Sequence, residues 1–542
     1  MGRGRAQGSR FPAAPPGAGW IAVSGLVLGL AHPPFHFLLP SFLGLVPFGI
    51  WLAQLPEGDE GRGLAFRGGL WLGIVYYTLV LYWLATALIL YTLLAVLAFV
   101  FAVGLLSLFL AVATTGMHHV RHRLGWPLWI ALPVFWTAAE WFRAHLGPIS
   151  FPWQELGYTL TGFPRLIGAA DLVGARGLSF WLAMLSGLLA TAFVAWQRSQ
   201  RGRAWLALGG WLAGVAVPVS YSLWRWQSLE MRPVVTVTAV QPNVAEKIKL
   251  EDPVAAFDSA RSSIENLIAG HESAEDIDLL ILPETVIPRP IDPILAQGFM
   301  GRPDIYQWVR GLGRSTDAPV LFGSIGIENR SQDEWDYYNS AYLIDGRRAS
   351  RARYDKRHLV PVVERVPFLD PDWFTWAEYF GGFAVGLNLD VLPLDESRFG
   401  VLICYESIFS GLSRGYRLQG ADFLVNITND AWFGREGPWW SRSGALWQHP
   451  SHLVLRAIEN RIGIARVGNT GISGTLDPLG RVHDATRLFR PAIFTADVLT
   501  TDGLTLFART GDVVGWIAGL AAAVGIFLPR LGRRSRRETV HY

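Results

Sequence analysis

Residues 68–116 run for 49 positions without a charged side chain. At ~1.5 Å per residue, one helix of that length would be more than twice the ~30 Å hydrocarbon core of a bilayer. The run therefore predicts two membrane spans joined by a tight turn near residue 87. Further apolar runs lie near 19–34, 41–55, 127–145, 172–196 and 204–223, with a last one near 511–529. The pattern predicts seven spans before residue 230 and one after 510, the first two being short. Residues 11–19 are poor in large apolar side chains and more spans follow, so the start of the chain is not expected to be a cleaved signal peptide.

After residue 230 the pattern changes. Short runs rich in β-branched residues appear at 234–240, 277–282, 318–325, 340–345, 400–404, 422–428 and 463–467. Helical patterns alternate with several of them, at 254–269, 303–313 and 441–460. Buried strands alternating with helices predict an α/β domain, and functional groups in such domains often sit just past strand ends. The expected division is a membrane domain over 1–231, an α/β domain over 232–505, and a last span with a basic tail over 506–542.

Composition agrees with a membrane protein carrying a soluble part. Charged residues are 17% of the chain, 51% are apolar, and mean hydropathy is +0.27. A formal charge of +3 gives no reason to expect a nucleic-acid partner. Arginine sets the expected orientation. With the N-terminus inside, the inside segments carry Arg3, Arg5, Arg10, Arg62, Arg67, Arg121, Arg123, Arg198, Arg201, Arg203 and the basic tail from Arg530 to Arg537. The outside loops carry at most Arg143, Arg165 and Arg176. Positive residues favour the cytoplasmic face, so the α/β domain is expected outside the cytoplasm, with both termini inside.

Three residues then stand out. Of 47 Lys+Arg only Lys247, Lys249 and Lys356 are lysine, and Cys404 is the only cysteine of 542 residues. Cys404 ends G-V-L-I-C, Glu284 follows I-D-L-L-I-L-P, and Lys356 lies in Y-D-K-R-H-L-V-P. Each has a bland alternative: a small buried hydrophobe, a helix-start carboxylate, a surface lysine. Together they make chemistry. An ammonium favours the thiolate and can stabilise an oxyanion, and a carboxylate can take the thiol proton as general base. Glu140 and Arg143, three apart, read as a helix-face ion pair. F-P-W-Q-E-L-G-Y (151–158) suits a membrane interface. H-H-x-x-H (His118, His119, His122) reads as a loop rather than a metal site, and no cofactor is implied.

P-E-T at 283–285, Y-D-K-R-H-L-V-P at 354–361 and C-Y-E at 404–406 resemble the Glu-Lys-Cys triad of the nitrilase (carbon–nitrogen hydrolase) superfamily. The eight spans narrow the resemblance to the apolipoprotein N-acyltransferase family. V-Q-P-N (240–243), N-I-T-N-D-A-W-F-G (426–434), Gln448-His449, R-A-I-E-N-R-I (456–462) and G-N-T-G-I-S (468–473) extend it over nearly the whole chain. The resemblance implies an integral membrane domain of about eight helices carrying a nitrilase-like αββα sandwich. It implies Glu284 as base, Lys356 as oxyanion stabiliser, Cys404 as nucleophile, Glu364 as the second glutamate orienting them, and Tyr405 and Glu406 as its flanking pair. It also implies a phospholipid acyl donor, a diacylated apolipoprotein acceptor and a bacterial inner-membrane location. The family's Phe-Gly before the second glutamate is Val362-Val363 here, and its tryptophan after the V-Q-x-N strand is Leu250.

Two aromatic segments are expected to form a lid facing the bilayer: 372–383 with Trp376, and 431–440 with Trp432 and Trp440. Two rival readings are a membrane-anchored amidase or nitrilase, and a transporter or scaffold with an inactive outer domain.

Overall fold

The computed structural model describes residues 15–88, 94–271, 277–291, 304–331, 334–346, 351–361, 363–366 and 382–537. Four of the described helices are long and apolar enough to cross a bilayer. They are α4 (Gly58–Leu88), α5 (Leu94–Leu124), α7 (Ala170–Gln197) and α8 (Arg201–Ser228). Helices α1 (Ala18–Ala31), α2 (Leu38–Leu43), α3 (Val46–Ala53) and α6 (Leu128–Arg143) are shorter, and the helix Val513–Arg537 follows the α/β domain. α4 runs through residue 87, the expected position of the turn, to Leu88, and residues 89–93 lie outside the described residues. The apolar run 41–55 is not one continuous helix. It breaks around Gly44 and Leu45, where Pro47 opens α3, a position at which proline's missing N–H costs nothing.

Two sequence expectations fail here. His118, His119 and His122 lie on α5, not in a loop. His118 Nε2 is 2.8 Å from the Pro56 carbonyl and His122 Nδ1 is 3.3 Å from Glu57, so the helix ends by gripping the α3–α4 connection. The Glu140–Arg143 ion pair does not form. Glu140 Oε1 accepts from Trp136 Nε1 at 2.8 Å and from the Leu156 N–H at 2.7 Å. Arg143 Nε and Nη1 have no hydrogen-bond partner, and its guanidinium lies 5.8 Å from the Tyr77 ring centroid. Both side chains are buried, and Glu140 ties Trp136 of its own helix to the chain after α6 instead of pairing with Arg143.

The α/β domain contains two sheets. The first has strand order β13-β1-β2-β4-β5-β6, with β3 beside β4; the second has order β12-β11-β10-β9-β8-β7. In the first, β1 is Arg232–Gln241, β2 Leu279–Ile281, β3 Ile287–Pro290, β4 Val320–Ser331, β5 Glu334–Ile344, β6 Arg351–Asp355 and β13 Ala492–Thr500. In the second, β7 is Leu392–Leu394, β8 Ser397–Ile403, β9 Phe423–Thr428, β10 Gly463–Gly468, β11 Gly474–Leu476 and β12 Val482–His483.

Side-chain alternation builds the layers, since successive residues of a strand face opposite ways. Leu279, Ile281, Leu321, Ala341 and Leu343 pack with Phe399, Val401, Ile403, Phe423 and Val425 of the second sheet in one large core. Leu280, Leu282, Val320, Phe322, Tyr342 and Ile344 face the other way. There they meet Phe257, Ile264, Trp308 and Val309 of the helices Pro253–Ala269 and Asp304–Ser315. The helix Ala445–Asn460 lies on the second sheet's side and is buried along nearly all its length.

That helix also docks on the membrane helices. Gln448 Nε2 donates to the Val80 carbonyl (3.1 Å) and its Oε1 accepts from Trp153 Nε1 (2.9 Å). Gln154 Nε2 donates to the Gln448 carbonyl (3.1 Å). Just past the helix, Arg461 pairs with Asp171 of α7 at 2.8 Å. The same buried core cluster joins the two parts without a break.

One close approach fixes where β4 meets the chain after β2. Gly323 N–H donates to the Pro283 carbonyl at 3.1 Å. A Cβ on Gly323 would collide with Thr285 N and lie 2.6 Å from Glu284 Cα, both backbone atoms. Gly323→Ala is expected to destabilise the protein by about 1–3 kcal/mol, the cost of overpacking a rigid contact, and to displace Glu284. Thermal unfolding of the purified variant checks this; an unchanged midpoint would show that the loop yields freely.

Candidate active site

Glu284 stands three residues past β2, Lys356 one past β6 and Cys404 one past β8. The first two come from one sheet and the third from the other, and they meet where the sheets face each other. The chain turns sharply at two of them. Cys404 has φ +49° and Thr285, next to Glu284, φ +44°. Such a conformation costs a non-glycine residue about 1–3 kcal/mol and persists only where its surroundings impose it.

Lys356 is the centre of the cluster, its side chain wholly buried. Nζ donates to Glu364 Oε1 at 2.7 Å and approaches Glu284 Oε1 at 3.4 Å. Asn339 on β5 donates to both carboxylates, at 2.9 Å to Glu364 and 2.8 Å to Glu284. Glu284 Oε2 accepts the Asn429 N–H at 2.8 Å, and Glu364 Oε2 the Val360 N–H at 2.7 Å. Burial works to lower the Lys356 pKa, but the two carboxylates prevail and hold it above the usual lysine range. The ammonium is thus fixed in charge as well as place.

The thiol behaves differently from the expectation that the ammonium would favour a thiolate. Burial, and then the charge of Glu284, push the Cys404 pKa well above the usual range; Lys356 pulls the other way without prevailing. At rest the group is a thiol. Glu284 is the carboxylate whose charge bears on it most strongly.

Glu406 and Tyr405 brace this arrangement. Glu406 is fully buried and accepts from Tyr354 OH (2.8 Å), Arg357 N (2.7 Å), His358 N (3.2 Å) and Ile403 N (2.8 Å). One carboxylate therefore ties the segment after Lys356 to the strand that ends at Cys404. Burial pushes its pKa up to about 7, against the pull of the backbone donors. Tyr405 OH donates to the Ser150 carbonyl at 3.0 Å, and its ring stacks on Phe151. Glu364 N–H bonds the Val360 carbonyl at 2.9 Å, across the segment that holds Val362 and Val363. Val362 lies outside the described residues, and of Leu250 only the helical backbone is described.

Sequence reasoning missed Asn339, Tyr354 and Asn429. Asn339 sits mid-strand in Y-Y-N-S-A-Y, a polar residue at a core-facing position, and that was the available signal. The expected lid divides. Trp376 lies outside the described residues. Trp432 is half-buried, next to Phe433, which packs edge-on against Trp83 of α4 at 5.2 Å. Trp439 and Trp440 stand 82% and 70% exposed at the tip of the same segment.

Residues 24–188 match the family described as apolipoprotein N-acyltransferase N-terminal domain, and residues 236–499 the carbon-nitrogen hydrolase family. The chain is 32% identical over 536 residues to the apolipoprotein N-acyltransferase of Geobacter metallireducens, covering 96% of this chain and 95% of that one. It is 28% identical over 537 residues to the apolipoprotein N-acyltransferase of Chlorobaculum tepidum, covering 93% and 95%. A solved carbon–nitrogen hydrolase superfamily protein from Xanthomonas campestris aligns with 49% of this chain and 90% of its own at 19% identity, with a TM-score of 0.34. The chain belongs to the apolipoprotein N-acyltransferase family. With its long apolar helices it is a multi-pass membrane protein whose α/β domain is nitrilase-like.

A thiol held protonated has a clear signature. Alkylation of Cys404 by a small neutral reagent is expected to be slow at pH 7. It should rise about tenfold per pH unit, tracking the thiolate fraction, with no plateau below pH 9. A plateau near neutrality, measured by intact mass against time, would mean that Lys356 has already ionised the thiol.

Proposed function

We propose that this chain is a phospholipid:apolipoprotein N-acyltransferase that works through a thioester on Cys404. The observation that carries the reading is the buried Lys356 ammonium, held between Glu284 and Glu364 beside a neutral thiol at a strained strand end. Glu284 takes the thiol proton as Sγ attacks the acyl ester carbon. Lys356 stabilises the oxyanion of the tetrahedral intermediate. The intermediate collapses, the C–O bond breaks, and Glu284 returns the proton to the departing lysophospholipid alkoxide. The α-amine of a diacylglyceryl-cysteine at a lipoprotein N-terminus then attacks the thioester. Glu284 accepts the amine proton, and the leaving sulfur regains it. The products are an amide and the free thiol. Glu364 holds Lys356, Glu406 holds the chain on both sides of the site, and Tyr405 fixes the turn.

Eight spans, with the two short N-terminal helices and α6 among them, would place both termini in the cytoplasm. Residues 232–505 would then lie on the periplasmic face of a bacterial inner membrane, the side favoured by the arginine distribution. Lipid would reach the site sideways, under a lid drawn from the aromatic segments. The exposed Trp439 and Trp440 support that part of the reading, because tryptophan favours the headgroup zone. The lid would also keep water from the thioester, which separates a transferase from a lipase.

Intact mass of protein purified from membranes is expected to show a fatty-acyl adduct on Cys404 that neutral hydroxylamine releases. Cys404→Ala and Cys404→Ser should lower N-acylation of a diacylated lipopeptide by at least about 1,000-fold, as loss of a nucleophile does. Release of free fatty acid in place of amide would favour the membrane-anchored hydrolase. Full activity of the alanine variant would sink the assignment.

Trp440→Ala and Trp376→Ala are expected to slow acylation from bilayer lipid more than they slow thiol labelling by a soluble reagent. Comparing the two rates on one preparation tests the lid; equal loss in both would point to misfolding at the site instead.

A further inference from the structure

His449 has no part in the chemistry above, yet it touches the nucleophile's own backbone. It lies on the helix Ala445–Asn460 and is completely buried. Its ring is stacked at 5.9 Å on Trp153 and meets Phe433 edge-on at 5.6 Å. Nδ1 is 2.8 Å from Asp430 Oδ1, and Nε2 is 3.0 Å from the Cys404 carbonyl oxygen and 3.1 Å from Ser407 Oγ.

The partners dictate where the protons are. Asp430 also receives Arg466 Nη2 at 2.5 Å and Thr428 Oγ1 at 3.0 Å. Burial opposes its charge, but Arg466 and then His449 hold its pKa well below the usual carboxylate range. It is an ionised acceptor 2.8 Å from Nδ1, which Arg466 Nη2 also approaches at 3.4 Å. A carbonyl oxygen can only accept, so a bare Nε2 lone pair 3.0 Å away would set two acceptors face to face. Nε2 is therefore the donor in that contact, and it satisfies the Cys404 carbonyl.

That carbonyl belongs to the planar peptide joining Cys404 to Tyr405. Holding it sets the ψ of Cys404, a residue whose φ of +49° is already unfavourable. We propose that His449 is a positioning residue for acyl transfer: bridged to Asp430, it locks the Cys404–Tyr405 peptide and so keeps the thiol aimed between Glu284 and Lys356. The same plane turns the Tyr405 N–H away from His449. The proposal rests on the thioester reading given above.

The test separates the two ends of the ring. His449→Gln can keep a donor where Nε2 stands, against the Cys404 carbonyl. His449→Asn can keep one only where Nδ1 stands, against Asp430. Acylation of Cys404 by a diacyl glycerophospholipid in mixed micelles is followed by intact mass in the full-length protein, alongside thermal unfolding. His449→Asn and His449→Ala are expected to lose about 10- to 100-fold in the maximal acylation rate, the cost of leaving one buried carbonyl without its donor, with KM within twofold of wild type. His449→Gln should recover most of that loss. An asparagine variant as fast as the glutamine variant, or a loss that appears in KM instead, would overturn the role. So would rates near wild type in all three. Wild-type protein that never forms acyl-Cys404 would instead overturn the thioester reading itself.

Discussion

A lysine ammonium removed from water must be matched by negative charge, or it costs several kcal/mol. Lys356 is in that position, with a side chain wholly out of solvent. Two carboxylates answer it, and each must itself be satisfied. Asn339 donates to both, while the backbone N–H groups of Asn429 and Val360 take the outer oxygens. These donors come from β5, from the chain after β9, and from the segment after Lys356. The second sheet contributes the Asn429 N–H, so Glu284 is fully satisfied only when the two sheets are correctly stacked. Glu406 repeats the logic with no cation in hydrogen-bond contact, gathering four donors from both sides of the interface. The polar cluster and the sandwich stand or fall together.

Charge balance also answers the question raised by the single cysteine. With two carboxylates around one ammonium, a resting thiolate would be a third anion in the same buried space. Burial and Glu284 hold Cys404 neutral. Since the thiolate is the species that reacts with oxidants, a thiol kept protonated until its substrate arrives is protected from adventitious chemistry. In the proposed reaction Lys356 would act on charge that develops during attack, where a fixed dipole or ion is most effective.

Much of this was legible in the sequence, for physical reasons. The charge-free run 68–116 could only be membrane helices, and α4 and α5 cover nearly all of it. The strands at 234–240, 277–282, 400–404, 422–428 and 463–467 were visible because they are buried on both faces and so read as apolar runs. Strands β6, β12 and β13 were not, because R-A-R-Y-D, V-H and A-I-F-T-A-D-V-L-T carry polar or exposed positions of edge strands. Glu284, Lys356 and Cys404 were legible as rare polar groups at strand ends. Asn339 and Asn429 were not, since their work is to satisfy carboxylates that only the fold brings together. Glu140 and Arg143 misled because helical spacing says which residues are neighbours on a helix. It does not say which neighbour wins or whether another segment competes, and here Trp136, one turn back on the same helix, and the Leu156 N–H take Glu140.

The placement of the nucleophile relative to the membrane helices follows from its neighbours in sequence. Tyr405 is bonded to Ser150 and stacked on Phe151, in the connection between α6 and α7. Two residues further along that connection, Trp153 reaches Gln448, which is held in turn by the Val80 carbonyl of α4. His449 follows Gln448 and meets the Cys404 carbonyl. The turn carrying the thiol is thus gripped from two directions, by Ser150 and Phe151 in the α6–α7 connection and by His449, whose neighbour Gln448 is bonded to α4. A hydrolase acting on a small soluble amide would need no such attachment. An enzyme whose acyl donor and acceptor are both lipids must keep its nucleophile at a constant depth relative to the ester bond. A rigid link from strand end to membrane helix is the direct physical means of doing so.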